Sequence, residues 1–217
     1  MLARKACSAA LPRLRALLGR RAALTACVLQ ALAATVDRAD PEDTGEIASE
    51  ILPYLESGEV LHAVAAASAL GRLGSRLAVP PLIAALEREE HPIARAALAA
   101  LREISGAALP ASPSLWTHWY GEEERWWRER APGLCSRLER APPAGLSRAD
   151  LVALLAELSE HALFRAELAP LVARALDHAD AEVRELAHRA LERLGARVAP
   201  ADATGREEPA PRSPGPR

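Results

Sequence analysis

The chain has 217 residues; half are apolar and 3% are aromatic, so Ala, Leu and Val supply nearly all of its apolar content. These residues form or pack helices well, whereas sheets favour aromatic and β-branched residues, and we therefore predict an all-α protein. The formal net charge of −2 provides no concentrated positive charge to gather nucleic-acid phosphates, and we expect no nucleic-acid partner.

The basic segment at the start of the chain, residues 1–42, contains no acidic residue before residue 37. Its apolar run ends in Ala-Leu-Ala at residues 31–33, as the run of a signal peptide does. Thr25 and Gln30 interrupt that run, and we favour the alternative, a pair of short helices packed at the head of a helical array. No stretch reaches the ~18 uninterrupted apolar residues of a membrane span.

Residues 43–106 contain one pattern twice. In two predicted outer helices and two predicted inner helices, the small and apolar residues recur 31 positions later: Ile51, Leu52 and Leu55 as Leu82, Ile83 and Leu86, and Ala66, Ala69, Leu70 and Leu73 as Ala97, Ala100, Leu101 and Ile104. This register predicts two helical hairpins whose alanine-rich inner helices stack on each other. Gly71 and Gly74 end the first inner helix, where they serve close packing and a helix stop. The register leaves Ala63 and Ala94 outside the stack, so we expect enlargement there to be nearly silent.

Residues 107–146 interrupt the array with prolines and with five of the seven aromatic residues, Trp116, Trp119, Tyr120, Trp126 and Trp127. If Gly121 does not end the helix, these aromatic residues share one helical face. We interpret them as an apolar closure of the array. A binding surface is the alternative, because aromatic residues dominate binding hot spots.

The helical pattern resumes over residues 147–196, where Ser147 and Asp150 predict a capping box. The last helix repeats the earlier pattern 90 positions on, with Val183, Ala187, Ala190, Leu191 and Leu194 following Ile93, Ala97, Ala100, Leu101 and Ile104. Residues 197–217 have no periodicity, and we predict a disordered tail.

The segment from Asp180 to Gly195 resembles a HEAT repeat of the compact bacterial type, with a capping Asp, then Val-Arg, Ala, Ala-Leu and a final Gly. Pro113, Trp116, Trp119 and Tyr120 resemble the Pro-x-x-Trp-x-x-Trp-aromatic helix that follows the array in some bacterial members. The resemblance implies an α-solenoid of stacked helical hairpins, a HEAT-like superhelix interrupted by a Trp-rich helical insert. It also implies a scaffold that binds macromolecules along the concave face of its inner helices.

The sequence contains no motif typical of a metal site, a disulfide framework or a catalytic centre. Cys7, Cys27 and Cys135 form no CxxC pair, which indicates neither a zinc site nor a disulfide framework and favours a reducing, cytoplasmic location. The six histidines lack metal-ligand spacing, and no triad, phosphate loop or isolated carboxylate pair stands out. We therefore expect no metal, no cofactor and no catalytic residue.

These observations predict a non-catalytic scaffold that binds a protein partner. The candidate binding residues are Arg72, Arg95, Arg102, Arg184 and Arg189, together with Trp116, Trp119 and Trp127. A merely solvated face is the alternative for the charged residues, since an i, i+4 pair such as Glu185 and Arg189 stabilises a helix without any function. Two other functions stay open: a lyase-like enzyme or enzyme subunit built on the solenoid, and a HEAT-like protein that binds nucleic acid.

Overall fold

The computed structural model describes residues 13–18, 22–35, 41–140 and 146–195, in which helices occur and strands do not. The all-α prediction is therefore confirmed for this part of the chain. The predicted tail, Leu11 of the predicted first short helix and the linker prolines at 142 and 143 lie outside the described residues, whereas residues 13–17 are helical. Within the described ranges, no helix combines the length and the apolar character needed to cross a membrane.

The helices follow one another with short connections. In chain order they are α1 (Ala22–Thr35), α2 (Pro41–Leu55), α3 (Val60–Leu73), α4 (Val79–Ala85), α5 (His91–Ser105), α6 (Pro113–Glu129), α7 (Ala131–Arg140), α8 (Arg148–Ser159), α9 (Arg165–Ala173) and α10 (Ala181–Arg193). Short 3-10 turns lie at Arg76–Ala78, Ala162–Phe164 and Arg174–Asp177.

Helix α3 lies at the centre of the first half of the molecule. It packs between α1 and α5 and against α2, while α4 packs against α5. Three neighbours enclose α3, so Ala63 is fully buried, whereas Ala94, at the corresponding position of α5, is only half-buried. The prediction that Ala63 lies outside the helix packing is wrong for this reason.

Glycine makes the contact between α3 and α5 possible. A Cβ atom on Gly71 would lie 2.8 Å from the Ala100 Cα and 2.9 Å from its Cβ, so a larger residue would push on the α5 backbone. Gly74 ends α3 at a φ of 70°, and its N–H donates to the carbonyls of Leu70 and Gly71. Both predicted roles, close approach and helix stop, are confirmed.

Two of the C-terminal helices, α8 and α10, begin at side-chain caps. Ser147 Oγ accepts a hydrogen bond from the Asp150 N–H at 3.2 Å, and Asp180 accepts one from the Glu182 N–H at 2.9 Å. Helix α10 packs against α8 and α9. Its buried positions coincide with those of α5 at the offset of 90, since Val183, Ala187, Ala190, Leu191 and Leu194 are all buried.

Candidate partner-binding surface

The first half of helix α6 holds Trp116 in the core. Trp116 is fully buried, and its Nε1–H donates to the Pro110 carbonyl at 2.9 Å. Trp119 meets it edge to face, with ring centroids 5.5 Å apart and an interplanar angle of 82°. The indole of Trp116 is therefore satisfied inside the protein, and we assign it to the core and not to a binding surface.

The second half of α6 packs on the turn that precedes α9. Gly121 does not end α6, which continues to Glu129. Trp127 stacks on the fully buried Phe164, and Trp126 stacks on His161 at a centroid distance of 3.4 Å. We assign Trp127 to this apolar closure as well, which leaves the half-buried Trp119 as the remaining candidate of the cluster.

Polar side chains surround Trp126 and tie α6 to α8. Arg130 donates to both carboxylate oxygens of Glu157, at 2.6 and 3.1 Å, and Trp126 Nε1–H donates to Glu157 at 3.4 Å. The hydrogen bond from Arg130 is the main cause that lowers the pKa of Glu157. His161 Nδ1 lies 3.1 Å from a carboxylate oxygen of Glu123, with both side chains mostly buried. This network was not predicted, because its members lie 27 to 38 residues apart.

A buried arginine, Arg165, links the two halves of the chain. Its side chain donates to the Ala162 carbonyl at 2.8 Å and to the Ile104 carbonyl in the last turn of α5. The last carbonyls of a helix have no partner within the helix, so Arg165 acts as a cap for α5. This role was not predicted from the sequence, because an arginine at the start of an apolar helix is expected to be exposed to solvent.

Helices α3 and α5 share an exposed surface, which we call the α3–α5 strip. Its residues are Leu61, Val64, Ser68 and Arg72 on α3 and Arg95, Ala99, Arg102 and Glu103 on α5. Helical spacing places each set of four along one side of its helix. The apolar Leu61 is 77% exposed, and the small Ser68 and Ala99 occupy the middle of the strip.

The structure places three of the predicted arginines on this strip. Arg72 donates to the Gln30 carbonyl, and Arg102 donates twice to the Leu109 carbonyl, at 3.1 and 2.9 Å. Both remain exposed, as does Arg95. These bonds fix the direction of two guanidinium groups and leave their positive charge at the surface.

The other two predicted arginines lie on α10, away from the strip. Arg184 is half-buried and donates to the carbonyls of His178 and Ala179, at 2.7 and 2.8 Å, so it closes the turn before α10. Arg189 is exposed and lies 3.7 Å from Glu185. Together with Arg193, it borders a cavity of about 110 Å³ between α8 and α10.

Neither the sites nor the comparisons point to a known activity. Within the part of the chain that the structure describes, no group of three or more His, Cys, Asp or Glu residues is arranged to hold a metal ion. A comparison with protein-family models and with curated proteins finds no match for this chain. The functional conclusion therefore rests on the chain's own surface.

Proposed function

We propose that this protein is a non-catalytic scaffold with a HEAT-like solenoid architecture, and that a protein partner binds along the α3–α5 strip on its concave face. The recurrence of buried positions in α3, α5 and α10 at offsets of 31 and 90 supports the solenoid. The free thiols of Cys27 and Cys135 support a reducing, cytoplasmic location.

One observation carries the proposal: the composition of the α3–α5 strip. Leu61 exposes most of its apolar side chain, and exposed apolar surface rimmed by polar residues is typical of interaction sites. Ser68 and Ala99 are small, so a bound segment could approach the two helices closely. Arginine is enriched at interfaces, and three exposed arginines border the small residues.

Site-specific photo-crosslinking tests this assignment. A benzoylphenylalanine at position 99 replaces an exposed alanine of the strip, and the same group at position 84 replaces an exposed alanine of α4. In cells of the native host, we expect a discrete crosslinked adduct from position 99 and none from position 84. Equal adducts from both positions, or none from position 99, would contradict binding along the strip.

A further inference from the structure

Charge is sorted between the helices of residues 41–105. Helices α3 and α5 carry three arginines, Arg72, Arg95 and Arg102, and a single acidic residue, Glu103. The remainder of this range carries nine acidic residues, Glu42, Asp43, Glu46, Glu50, Glu56, Glu59, Glu87, Glu89 and Glu90, and two arginines, Arg76 and Arg88. Within residues 41–105, a basic strip therefore lies among helices and loops that are otherwise predominantly acidic.

This sorting favours a negatively charged occupant. Complementary potentials steer a charged partner to its site, and like charges repel it from the rest of the surface. Exposed carboxylates in the loops after α2 and α4 would repel an acidic segment, while the α3–α5 strip would attract it; they belong to Glu56, Glu59, Glu87 and Glu89. The three arginines are also exposed, so they can approach a carboxylate without the cost of uncovering a buried charge.

The rest of the strip separates an acidic protein segment from a nucleic acid. Leu61 and Val64 form an apolar end of the strip, with which a charged phosphate backbone makes no favourable contact. Glu103 lies among the arginines, and its carboxylate is 3.2 Å from the position of a Cβ on Gly71, beside Arg72. The strip offers three arginines, whereas nucleic-acid proteins commonly neutralise about 6–10 phosphates.

We propose that the occupant of the α3–α5 strip is an acidic segment of a protein partner, with carboxylates facing the arginines and an apolar side chain beside Leu61. This inference rests on the proposed function, because it names the chemistry of the partner bound at the same surface.

Fluorescence anisotropy on the full chain tests the proposal. The probes are a labelled peptide of Glu-Glu-Leu repeats, the same peptide with Lys in place of Glu, and a single-stranded DNA of similar length. We expect saturable binding of the acidic peptide, no binding of the basic one, and weaker binding of the DNA. Arg95→Glu should weaken the acidic peptide about tenfold, and added salt should weaken it further.

The matched control is Arg128→Glu, which makes the same charge change at an exposed position of α6. It should leave the affinity for the acidic peptide within about twofold of the wild type, because Arg128 does not belong to the α3–α5 strip. Circular dichroism establishes that both variants are folded. Three results would overturn the proposal that the strip binds an acidic segment: an equal loss of affinity in the two variants, tighter binding of the DNA than of the acidic peptide, or no binding of the acidic peptide.

The crosslinking experiment separates this failure from failure of the proposed function. A discrete adduct at position 99 without binding of the acidic peptide removes only the acidic chemistry of the partner. Absence of that adduct removes the strip as a binding surface altogether.

Discussion

The indole of Trp127 lies flat on the phenyl ring of Phe164, with ring centroids 4.4 Å apart and an interplanar angle of 8°. The guanidinium carbon of Arg76 lies 5.5 Å from the centroid of the same phenyl ring. Three segments that are distant in sequence therefore meet at Phe164: the turn before α4, the end of α6 and the turn before α9. Cation–π and stacked contacts of this kind stabilise a fold beyond the apolar area they bury.

Removal of the Trp127 ring should destabilise the protein strongly. We expect Trp127→Ala to lower the free energy of unfolding by about 3 kcal/mol, because it leaves a cavity beside Phe164. Urea denaturation followed by circular dichroism measures this change. The control is Leu115→Ala at an exposed position of the same helix, which should cost much less. Similar costs for the two variants would mean that Trp127 does not close the core.

Two glycines should respond to alanine with opposite signs. Gly71→Ala should lower the free energy of unfolding by about 1–3 kcal/mol, because its Cβ would collide with Ala100. Gly121→Ala should raise it by about 0.5–1 kcal/mol, because a Cβ there meets nothing within 4 Å and alanine favours helix. Thermal and urea unfolding of both variants provide the comparison. A stabilising Gly71→Ala would show that α3 and α5 lie further apart.

Gly71 and Gly74 show how much of the packing could be predicted from the sequence. Spacing alone predicted the roles of Gly71 and Gly74, because a close approach and a left-handed stop each have a local signature. It failed at Ala63, where burial depends on how many helices surround α3. A repeat pattern specifies the positions that stack on the next repeat, but α3 also has α1 and α2 as neighbours.

The stability cost of replacing alanine by leucine should therefore distinguish the buried faces of these helices from the exposed ones. We expect Ala63→Leu and Ala66→Leu to cost about 1–3 kcal/mol each, since both positions are fully buried. Ala99→Leu, at an exposed position of α5, should change the free energy of unfolding by less than about 0.5 kcal/mol. Chemical denaturation of the three variants under one set of conditions is sufficient. A neutral Ala63→Leu would contradict the position of α3 between its neighbours.

Acid should remove the contribution of the Glu157 carboxylate. The pKa of Glu157 is lowered in the folded protein, so its charge stabilises the fold above its unfolded pKa, and this contribution is lost as pH falls through the folded pKa. We expect Glu157→Gln to be less stable than the wild type at pH 7 and the difference to shrink below about pH 4.5. Urea unfolding at several pH values measures this convergence.

Glu160→Gln provides the control, because Glu160 is an exposed carboxylate next to the same segment. Its stability should follow that of the wild type at every pH. A gap between Glu157→Gln and the wild type that does not change with pH would assign the effect to packing against Trp126, and not to the charge.

The candidate binding surface was harder to predict from the sequence than the helices. Arg72, Arg95 and Arg102 could be placed on exposed faces by helical spacing alone. Arg184 lies in the same repeat pattern, yet its guanidinium turns back to the carbonyls of His178 and Ala179, which are within its own turn. Spacing indicates the side of a helix on which a residue lies, but it does not show what a long side chain reaches.

The cap that Arg165 places on α5 sets a limit on how the chain can be divided. In a repeat array, each repeat contacts only its neighbours, so terminal repeats can ordinarily be removed. Here the last turn of α5 depends on a donor that lies 61 residues further along the chain. A fragment that ends after α5 would expose that turn, as well as the surfaces that α6 and Phe164 cover. Such a fragment would therefore lack the donor that caps one of the two helices of the α3–α5 strip.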